Sequence, residues 1–362
     1  MTAVTRAINA FEGAPLPDPV RRAAVAYLVD AARRDLSKSP GDEAFAREMA
    51  KGPIALDVKA ANEQHYELPA AFFERILGPR LKYSSCLYPT GRETLAEAEI
   101  MALAETCAHA DLTDGQDILE LGCGWGSLSL WMAESLPNAR IVSVSNSASQ
   151  RAFIEGCARE RGLTNLTVIT ADMNVFQAEG RFDRVVSVEM FEHMTNWGHL
   201  LGLVRGWLKP DGRLFLHVFS HRSASYRFDA SDPNDWIAQH FFTGGIMPSH
   251  GLIRQFDDLF ELEADWRWSG AHYARTAEDW LANYDRNTGE IGAILRDVYG
   301  DQAKLWGRRW RLFFLATSGL FGHAEGFHWG VSHYRLKPVA SDEFWDPDNA
   351  GSLLTEADTS SG

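Results

Sequence analysis

The sequence predicts an α/β fold in which an open, mostly parallel sheet carries helices on both faces. From Asp111 onward, short apolar strands alternate with helices, and strands connected in this way pair in parallel. The first of these strands runs into a glycine-rich turn, LELGCGWG, which opens a helix. The residues before position 110 show helical periodicity instead, so they predict a helical region ahead of the sheet.

Composition and charge narrow the functional classes. The chain has 362 residues, of which 45% are apolar, and this length suits one large α/β domain with additions or two domains. Its net charge of −14 disfavours nucleic acid and anionic lipid surfaces, and it favours a cationic small molecule. No apolar run is long enough for stable membrane insertion, the N-terminus does not resemble a secretion signal, and the cysteines form no zinc pattern. We therefore expect a cytoplasmic protein without a metal site, and a homodimer stays open.

Helices are predicted over residues 1–110, ahead of the sheet. The segment AVAYLVDAARRDL has apolar residues at helical spacing and is followed by the punctuation Ser39-Pro40-Gly41. Further helices are predicted over AAFFERILG (70–78) and ETLAEAEIMALAETCAHA (93–110).

The core that follows, residues 111–338, is predicted to contain the sheet. Its first five strands are predicted at 117–122, 139–145, 166–172, 182–189 and 213–220, where apolar and β-branched residues cluster. Helices are predicted at 127–136, 149–162 and 197–212. The last of them is closed by Lys209-Pro210-Asp211-Gly212, which is a typical helix stop signal.

The alternation breaks after Ser220. Residues 221–258 are rich in aromatic residues and histidine and include Thr243-Gly244-Gly245, so we expect an inserted cap after the fifth strand. A strand at 259–268, a helical insertion over about 275–325 and a strand at 327–338 complete the predicted core. The tail, residues 339–362, is acidic and poor in packing residues, which predicts disorder.

The glycine-rich turn predicts a nucleotide-type cofactor. Glycine lets the backbone approach a ligand closely, and the helix that follows supplies unpaired N–H groups. The turn places Gly122, Gly124 and Gly126 after the strand that carries Glu120. Tight strand-to-helix turns also use glycine for purely structural reasons. The strand before this turn and the helix after it are what favour the cofactor interpretation.

The polar residues at the next strand ends favour S-adenosylmethionine (SAM) over NAD. A dinucleotide fold would place an acid at the end of its second strand. Here that strand ends in Ser145-Asn146-Ser147, and Gln150 follows, so neutral groups would meet the ribose. Asp172 ends the third strand, where a carboxylate can accept from an adenine amine. The structural alternative for Asp172 is a helix N-cap.

The stretch SVEMFEHM places three titratable groups at the end of the fourth strand. Glu189, Glu192 and His193 stand at i, i+3 and i+4, so a helical turn would bring them to one face. Ligands of open α/β sheets bind at this edge. We assign His193 as general base, Glu192 as its orienting or charge-stabilising partner, and Glu189 as the group that holds an ammonium. The alternative is a helix start decorated with Glu beside a solvated His.

Several motifs together resemble one enzyme family. In chain order they are HYELPAAFF (65–73), KYSSCLY (82–88), ILELGCGWGSLSLWMA (118–133), VSNSASQ (144–150), VEMFEHM (188–194), FFTGGIMPS (241–249) and WRLFFLATSGLFG (310–322). The chain from about residue 60 to 337 is similar to the coclaurine N-methyltransferases, a branch of the cyclopropane fatty acid synthase superfamily. The resemblance implies a class I SAM-dependent methyltransferase fold, which is Rossmann-like with a seven-stranded, mostly parallel sheet. It also implies that the helical region 1–110 covers the active site.

The resemblance also implies residue roles, with S-adenosylhomocysteine (SAH) as the product. Glu189, Glu192 and His193 would form the catalytic cluster, and Glu67 of HYELP would join it. The residues implied to bind the cofactor are Tyr66, Tyr83, Ser84, Glu120, Gly122, Gly124, Gly126, Ser145, Asn146, Gln150, Asp172, Met173 and Glu189. Tyr66 and Tyr83 could equally be packing tyrosines, and Glu67 could be a surface acid.

The sequence departs from the cyclopropane synthase pattern in a way that favours the amine branch. Cyclopropane synthases hold a bicarbonate ion with a Cys, a Glu, a His and a Tyr. Glu192 and His217 match two of these, whereas the Cys position falls on Ser85 and the Tyr position in the run 312–314. A lone strand histidine such as His217 is more often a core residue. Aromatic residues that could line an amine pocket, or belong to the core instead, are Trp236, Phe241, Phe242, Trp306, Trp310, Phe313 and Phe314.

We therefore expect a SAM-dependent N-methyltransferase acting on a small, aromatic or benzylisoquinoline-like amine. The alternative enzyme is a cyclopropane-type synthase that transfers to an unsaturated acyl chain of a phospholipid. A third alternative is a methyltransferase-like scaffold that binds SAM or a partner without catalysis, against which Glu192 and His193 argue.

Overall fold

A twisted central sheet organises the chain, of which the computed structural model describes residues 16–36, 39–56, 68–232 and 235–340. The strands are β1 (Asp117–Leu121), β2 (Arg140–Ser145), β3 (Leu166–Thr170), β4 (Phe182–Val188), β5 (Leu208–His221), β6 (Tyr226–Arg227), β7 (Ile246–Met247), β8 (Phe260–Ser269) and β9 (Trp329–Pro338). Seven of them form one sheet in the order β3-β2-β1-β4-β5-β9-β8. Strands β1 to β5 pair in parallel, and β9 is antiparallel to both of its neighbours.

Helices cover the sheet and precede it. Among the described residues, four lie before β1, namely α1 (Asp18–Asp35), α2 (Asp42–Met49), α3 (Ala70–Ile76) and α4 (Leu95–His109). The connections of the core supply α5 (Ser127–Ser135), α6 (Ala148–Glu160) and α7 (Trp197–Trp207), followed by α8 (Trp236–His240), α9 (Gly270–Arg286), α10 (Thr288–Tyr299) and α11 (Ala303–Gly322). The predicted fold class, a mostly parallel seven-stranded sheet with a helical N-terminal region, is confirmed. Within the described residues, no helix is both long enough and apolar enough to cross a bilayer.

Local sequence signals explain the best-defined elements. In α4, Thr94 accepts from the backbone of Glu97 and the Glu97 carboxylate accepts from the backbone of Thr94, a capping box that fixes the start of the helix. In β1, residues 118–121 are all buried, as expected for a central parallel strand covered on both faces.

The predicted helix before β5 ends several residues earlier than its sequence indicated. The helix predicted over 197–212 ends at Trp207, and Leu208 already begins β5. Pro210 disfavours helical backbone at Lys209, the residue before it, so the helix has to end before Lys209. Lys209 then donates from Nζ to Asp117 at 2.8 Å and to Asp183 at 2.7 Å, which ties the start of β5 to β1 and β4.

The predicted division into domains, with a cap at 221–258 and a helical insertion at 275–325, stays a prediction. Between β5 and β8 the chain forms the β6–β7 ribbon and α8, and between β8 and β9 it forms α9, α10 and α11. The N-terminal region is fastened to this second group, since Arg311 of α11 donates to both carboxylate oxygens of Asp18 at 2.7 and 2.8 Å. The tail from residue 341 and the residues Tyr66 and Glu67 lie outside the described residues.

Candidate active site

Two adjoining cavities lie at the carboxyl ends of the parallel strands. The first is lined by Ala55, Leu56, Gly122, Gly124, Val144, Ser145, Asn146, Gln150, Ala171, Asp172, Met173, Glu189, Met190, His193 and Met194. Many of these residues directly follow β1, β2, β3 or β4, which is where ligands of open α/β sheets bind. The second cavity shares Gly122, Gly124, Gln150, Glu189 and His193 with the first. A molecule in one cavity would therefore meet a molecule in the other.

The glycine turn is shaped by left-handed backbone and close packing. Gly122 has φ +77°, and a Cβ there would lie 2.5 Å from Cγ of Met190. Gly126 has φ +80°, caps α5, and would bring a Cβ within 2.6 Å of Ile154. Gly124 has φ +51° with nothing within 4 Å of a Cβ, so its space is open. These three positions need glycine for different reasons. Gly122 and Gly124 line both cavities, whereas the predicted cofactor residue Gly126 lines neither and packs against Ile154.

Buried polar atoms in the cavities fit SAM. Ser145 donates from Oγ to Oε1 of Gln150 at 2.7 Å, which fixes the amide of Gln150. The Nε2 of Gln150 and the Oγ of Ser127 are then buried without a hydrogen-bond partner among the described residues. Unpaired buried donors are costly, so a polar ligand that accepts from them satisfies the site. The hydroxyl and carboxylate groups of SAM are ligands of this kind.

Asp172 stabilises a turn rather than capping a helix, because the described residues between β3 and β4 form no helix, and its contact with adenine stays a prediction. Its Oδ1 accepts from the backbone N–H of Asn174 at 2.8 Å and from Nδ2 of the same residue at 3.2 Å, so it stabilises its own turn. Asp172 and Met173 also line the first cavity. Asn174 in addition accepts from the backbone N–H of Ala55 at 3.0 Å, so the turn after β3 holds the N-terminal region against this cavity.

Glu120 lies beneath the glycine turn. Its carboxyl accepts from Ser129 of α5 and, at 2.8 Å, from Ser143 of β2, so it links three core elements. Burial raises the pKa of Glu120 to about 7, and the two serine hydroxyls act in the opposite direction. Glu120 also lines the second cavity, and its predicted role in binding the cofactor stays a prediction.

Glu189 is the most connected group of the site. It follows β4 with φ +48°, an uncommon backbone for a residue with a side chain. Its Oε1 accepts from the backbone N–H of Ser85 at 2.9 Å and lies 3.2 Å from Nε2 of His217. Its Oε2 accepts from the hydroxyl of Tyr273 at 2.6 Å. Burial raises the pKa of Glu189, and the buried ammonium of Lys82 partly opposes that effect.

Glu192 and His193 lie on a short 3₁₀ turn, Phe191–His193, and they face different surroundings. Glu192 is fully buried, and its Oε1 accepts from the backbone N–H of Phe219 in β5 at 2.6 Å. Burial and the charge of Glu189 raise the pKa of Glu192 well above its ordinary value. His193 stacks on Phe242 with ring centroids 4.4 Å apart and lines both cavities. Glu189 and His193 therefore face the ligand space, while Glu192 anchors the turn to β5.

The structure adds residues that the sequence did not single out. Tyr273 of α9 and Lys82 both line the second cavity beside Glu189, together with the predicted Tyr83 and Ser84. The sequence comparison found no tyrosine in the run 312–314, and Tyr273 of a different helix is the tyrosine that donates to Glu189. Nothing in the sequence distinguishes Tyr273 from a core tyrosine, because α9 and β4 meet only in the tertiary fold.

The predicted aromatic set divides between pocket and core. Phe242 and Phe313 line the second cavity, where Tyr83, Phe219 and Trp280 join them. Others of the set are buried core residues, namely Phe241, Trp310 and Phe314.

Comparison with known proteins places the chain in a family. The model of the mycolic acid cyclopropane synthetase family matches residues 56–323. The chain belongs to this family. It is 36% identical over 289 residues to (S)-coclaurine N-methyltransferase of Thalictrum flavum subsp. glaucum, covering 78% of this chain and 80% of that protein. It is 30% identical over 271 residues to cyclopropane-fatty-acyl-phospholipid synthase of Escherichia coli (strain K12), covering 74% of this chain and 66% of that protein.

A solved structure agrees with this family assignment. A crystal structure of coclaurine N-methyltransferase bound to N-methylheliamine and SAH matches with TM-score 0.86 at 31% identity, covering 93% of this chain and 100% of that one. The resemblance found in the sequence motifs is confirmed. This member of the family is a SAM-dependent methyltransferase, as predicted.

Proposed function

We propose that the protein transfers a methyl group from SAM to the amine nitrogen of a small aromatic molecule. One observation carries the proposal: Glu189 and His193 line both cavities at once. Groups in this position can act on a proton of a substrate that faces the cofactor, which is what amine methylation requires.

SAM, when bound, supplies a methyl group on a sulfonium, a carbon already activated for displacement by a nucleophile. The chain's part is to hold the cofactor and the substrate in line and to exclude water. The glycine turn offers backbone groups at Gly122 and Gly124, Gln150 offers its unpaired amide, and Asp172 lines the same cavity. These residues would hold the cofactor.

The second cavity suits an aromatic cation. Its wall includes Phe219, Phe242, Trp280 and Phe313, so rings can stack on the substrate and attract its ammonium. The carboxyl of Glu189 lies on the same wall and would hold the charged nitrogen. The net charge of −14 draws a cationic substrate toward the protein.

The site must also remove a proton. An alkyl ammonium has a pKa of roughly 10, like that of lysine, and only the neutral amine can attack. His193, exposed to both cavities, would accept that proton, and its stacking on Phe242 holds the ring in place. Glu192 would act as a positioning residue, because its hydrogen bond to Phe219 fixes the turn that carries His193.

The relatives support an amine acceptor of the benzylisoquinoline type. Besides the coclaurine enzyme, they include a pavine and a tetrahydroprotoberberine N-methyltransferase, and the solved relative holds N-methylheliamine. The cyclopropane-type alternative keeps support from the E. coli relative. A cytoplasmic location and a homodimer are further proposals, and light scattering on the purified protein tests the second.

The experiment offers purified protein and labelled SAM a panel of arylalkyl amines and, separately, unsaturated phospholipid vesicles with and without bicarbonate. Label on an amine supports the proposed function. Label on lipid that disappears when bicarbonate is removed establishes the cyclopropane-type reaction instead. Bound SAM with transfer to neither acceptor would reject both enzymatic readings and leave a binding scaffold.

A further inference from the structure

A continuous row of titratable groups connects Glu189 with the protein surface. Nε2 of His217 lies 3.2 Å from Oε1 of Glu189, and Nδ1 of His217 lies 2.8 Å from Nε2 of His333. Nδ1 of His333 lies 2.8 Å from Nδ1 of His109, whose Nε2 lies 3.1 Å from Oε1 of Glu105. The side chain of Glu105 is 43% exposed, whereas those of His217 and His333 are fully buried. The row therefore starts in the active site and ends in solvent.

The sheet register builds this row. His217 of β5 is paired with His333 of β9, and His333 is paired with Trp266 of β8. His109, in the last turn of α4, stacks on Trp266 with centroids 3.8 Å apart and an interplanar angle of 8°. Neighbours across a sheet lie on the same face, so the three imidazoles are held in line by elements far apart in sequence.

Counting protons shows what the row can do. It contains three hydrogen bonds and the 3.1 Å contact between His109 and Glu105, which make four links, but three neutral imidazoles bring only three N–H donors for them. One additional proton, on Glu189 or on Glu105, completes all four links. If that proton enters at Glu189 and each histidine passes on its own proton, the proton leaves at Glu105 and the histidines exchange tautomers.

The surroundings keep the histidines neutral, as such a transfer needs. Burial lowers the pKa of His217 and of His333 well below the ordinary value, and burial also lowers the pKa of His109. The charged or titratable groups that face the row are Lys82 and Tyr273 at the Glu189 end, and Arg335, whose guanidinium donates to the backbone oxygen of His109 at 3.1 Å. Lys82 and Arg335 disfavour an imidazolium resting in the row.

We propose that the row from Glu189 through His217, His333 and His109 to Glu105 is a proton relay. His193 takes the proton from the amine and passes it to Glu189, with which it lines both cavities, and the row then carries the proton out of the active site. The inference rests on the proposed function. As the carbon–nitrogen bond forms, the carbon–sulfur bond breaks and its electron pair stays on sulfur. A protonated secondary amine thereby becomes a protonated tertiary amine, so one proton is released for each methyl transferred. The relay gives that proton an exit through the sheet, separate from the cavities.

The first test removes the outermost histidine. His109→Ala is expected to lower kcat about ten-fold in weakly buffered solution, less than the roughly 10²–10⁴-fold for loss of a group that acts on the substrate itself, with little change in KM. Added imidazole is expected to restore kcat with a saturable dependence, because it can enter beside Trp266 and replace the missing ring. His323→Ala is the matched control, since His323 also pairs with a carboxylate, Asp30, at 3.1 Å but lies outside the row. An unchanged kcat, or a loss that imidazole does not restore, would overturn the relay.

The second test needs no substrate. In cofactor-free, ¹⁵N-histidine-labelled protein, Glu189→Gln is expected to move the imidazole resonances of His109, three links away, and adding His333→Phe is expected to abolish that response. If the imidazole resonances of His109 are unchanged in Glu189→Gln, the relay is overturned as well. If the wild-type enzyme methylates no amine while the resonances respond as described, the proposed function fails and the proton connection stands. If amines are methylated and the resonances do not respond, only the relay fails.

Discussion

Glu120 ties the stability of the fold to pH, and the substitution Glu120→Gln measures that link. Its carboxyl is fully buried beneath the glycine turn, with Ser129 and Ser143 as donors. Burial raises its pKa from 4.5 to about 7. Because the folded protein then binds the proton more tightly than the unfolded chain, the stabilisation is complete below pH 4.5 and is lost as pH rises through 7.

The magnitude follows from the pKa difference. At about 1.4 kcal/mol for each pH unit, a rise of about 2.5 units is worth about 3 kcal/mol in total. Glutamine keeps the shape and an accepting oxygen but does not titrate. Between pH 5 and pH 8, the free energy of unfolding of the wild-type protein should therefore fall by about 2.5 kcal/mol relative to Glu120→Gln.

The assay is urea unfolding of cofactor-free protein at pH 5, 6, 7 and 8 for both proteins. The difference in the free energy of unfolding between the two proteins removes the contributions of titrating groups that do not interact with Glu120. Glu160→Gln on the exposed side of α6 controls for a general effect of replacing Glu by Gln. Parallel curves for the wild type and Glu120→Gln over this pH range would refute the argument that the buried carboxyl is protonated.

Three further substitutions test the site. Gly122→Ala would place a methyl group 2.5 Å from Cγ of Met190, at a backbone φ of +77°. We therefore expect the free energy of unfolding to fall by about 1–3 kcal/mol and SAM to bind more weakly in calorimetry. Unaltered SAM binding would contradict the role of the turn. His193→Ala should lower kcat by about 10²–10⁴-fold while SAM affinity in calorimetry is nearly unchanged, and wild-type turnover would exclude His193 as the base. Tyr273→Phe removes the hydroxyl whose hydrogen bond lowers the pKa of Glu189, so the pH profile of kcat should move to higher pH. The free energy of unfolding should fall by about 1–3 kcal/mol. An unshifted profile would show that Tyr273 does not affect the proton transfer.

The secondary structure of the core could be predicted closely because each element carries a local signal. Strand β4 was predicted at 182–189 and lies at Phe182–Val188, and helix α5 was predicted at 127–136 and lies at Ser127–Ser135. The exception is α7, where the stop signal was taken as part of the helix. Lys209 instead bonds to Asp117 and Asp183, partners that are distant in sequence.

The candidate site was only half visible for the same reason. Glu189 and His193 follow a strand end, a position that a sequence pattern can locate, and both line the cavities. Tyr273, Lys82 and His333 carry no such signal, since their places depend on how α9, the segment before α4 and β9 pack. His217 was weighed mainly as a core residue, and it is both fully buried and in contact with Glu189.

The sequence by itself determined the order of strands and helices, the glycine turn and the family, because periodicity, turn chemistry and motif order are local properties of the chain. Only the tertiary structure decided the protonation chemistry. Burial raises the pKa of Glu192, and its packing against β5 brings it to Phe219, 27 residues away in sequence. The three aligned histidines of β5, β9 and α4 are 116 and 224 residues apart in sequence at their two contacts. Desolvation is a property of the surrounding fold, so no stretch of the chain could report it in advance.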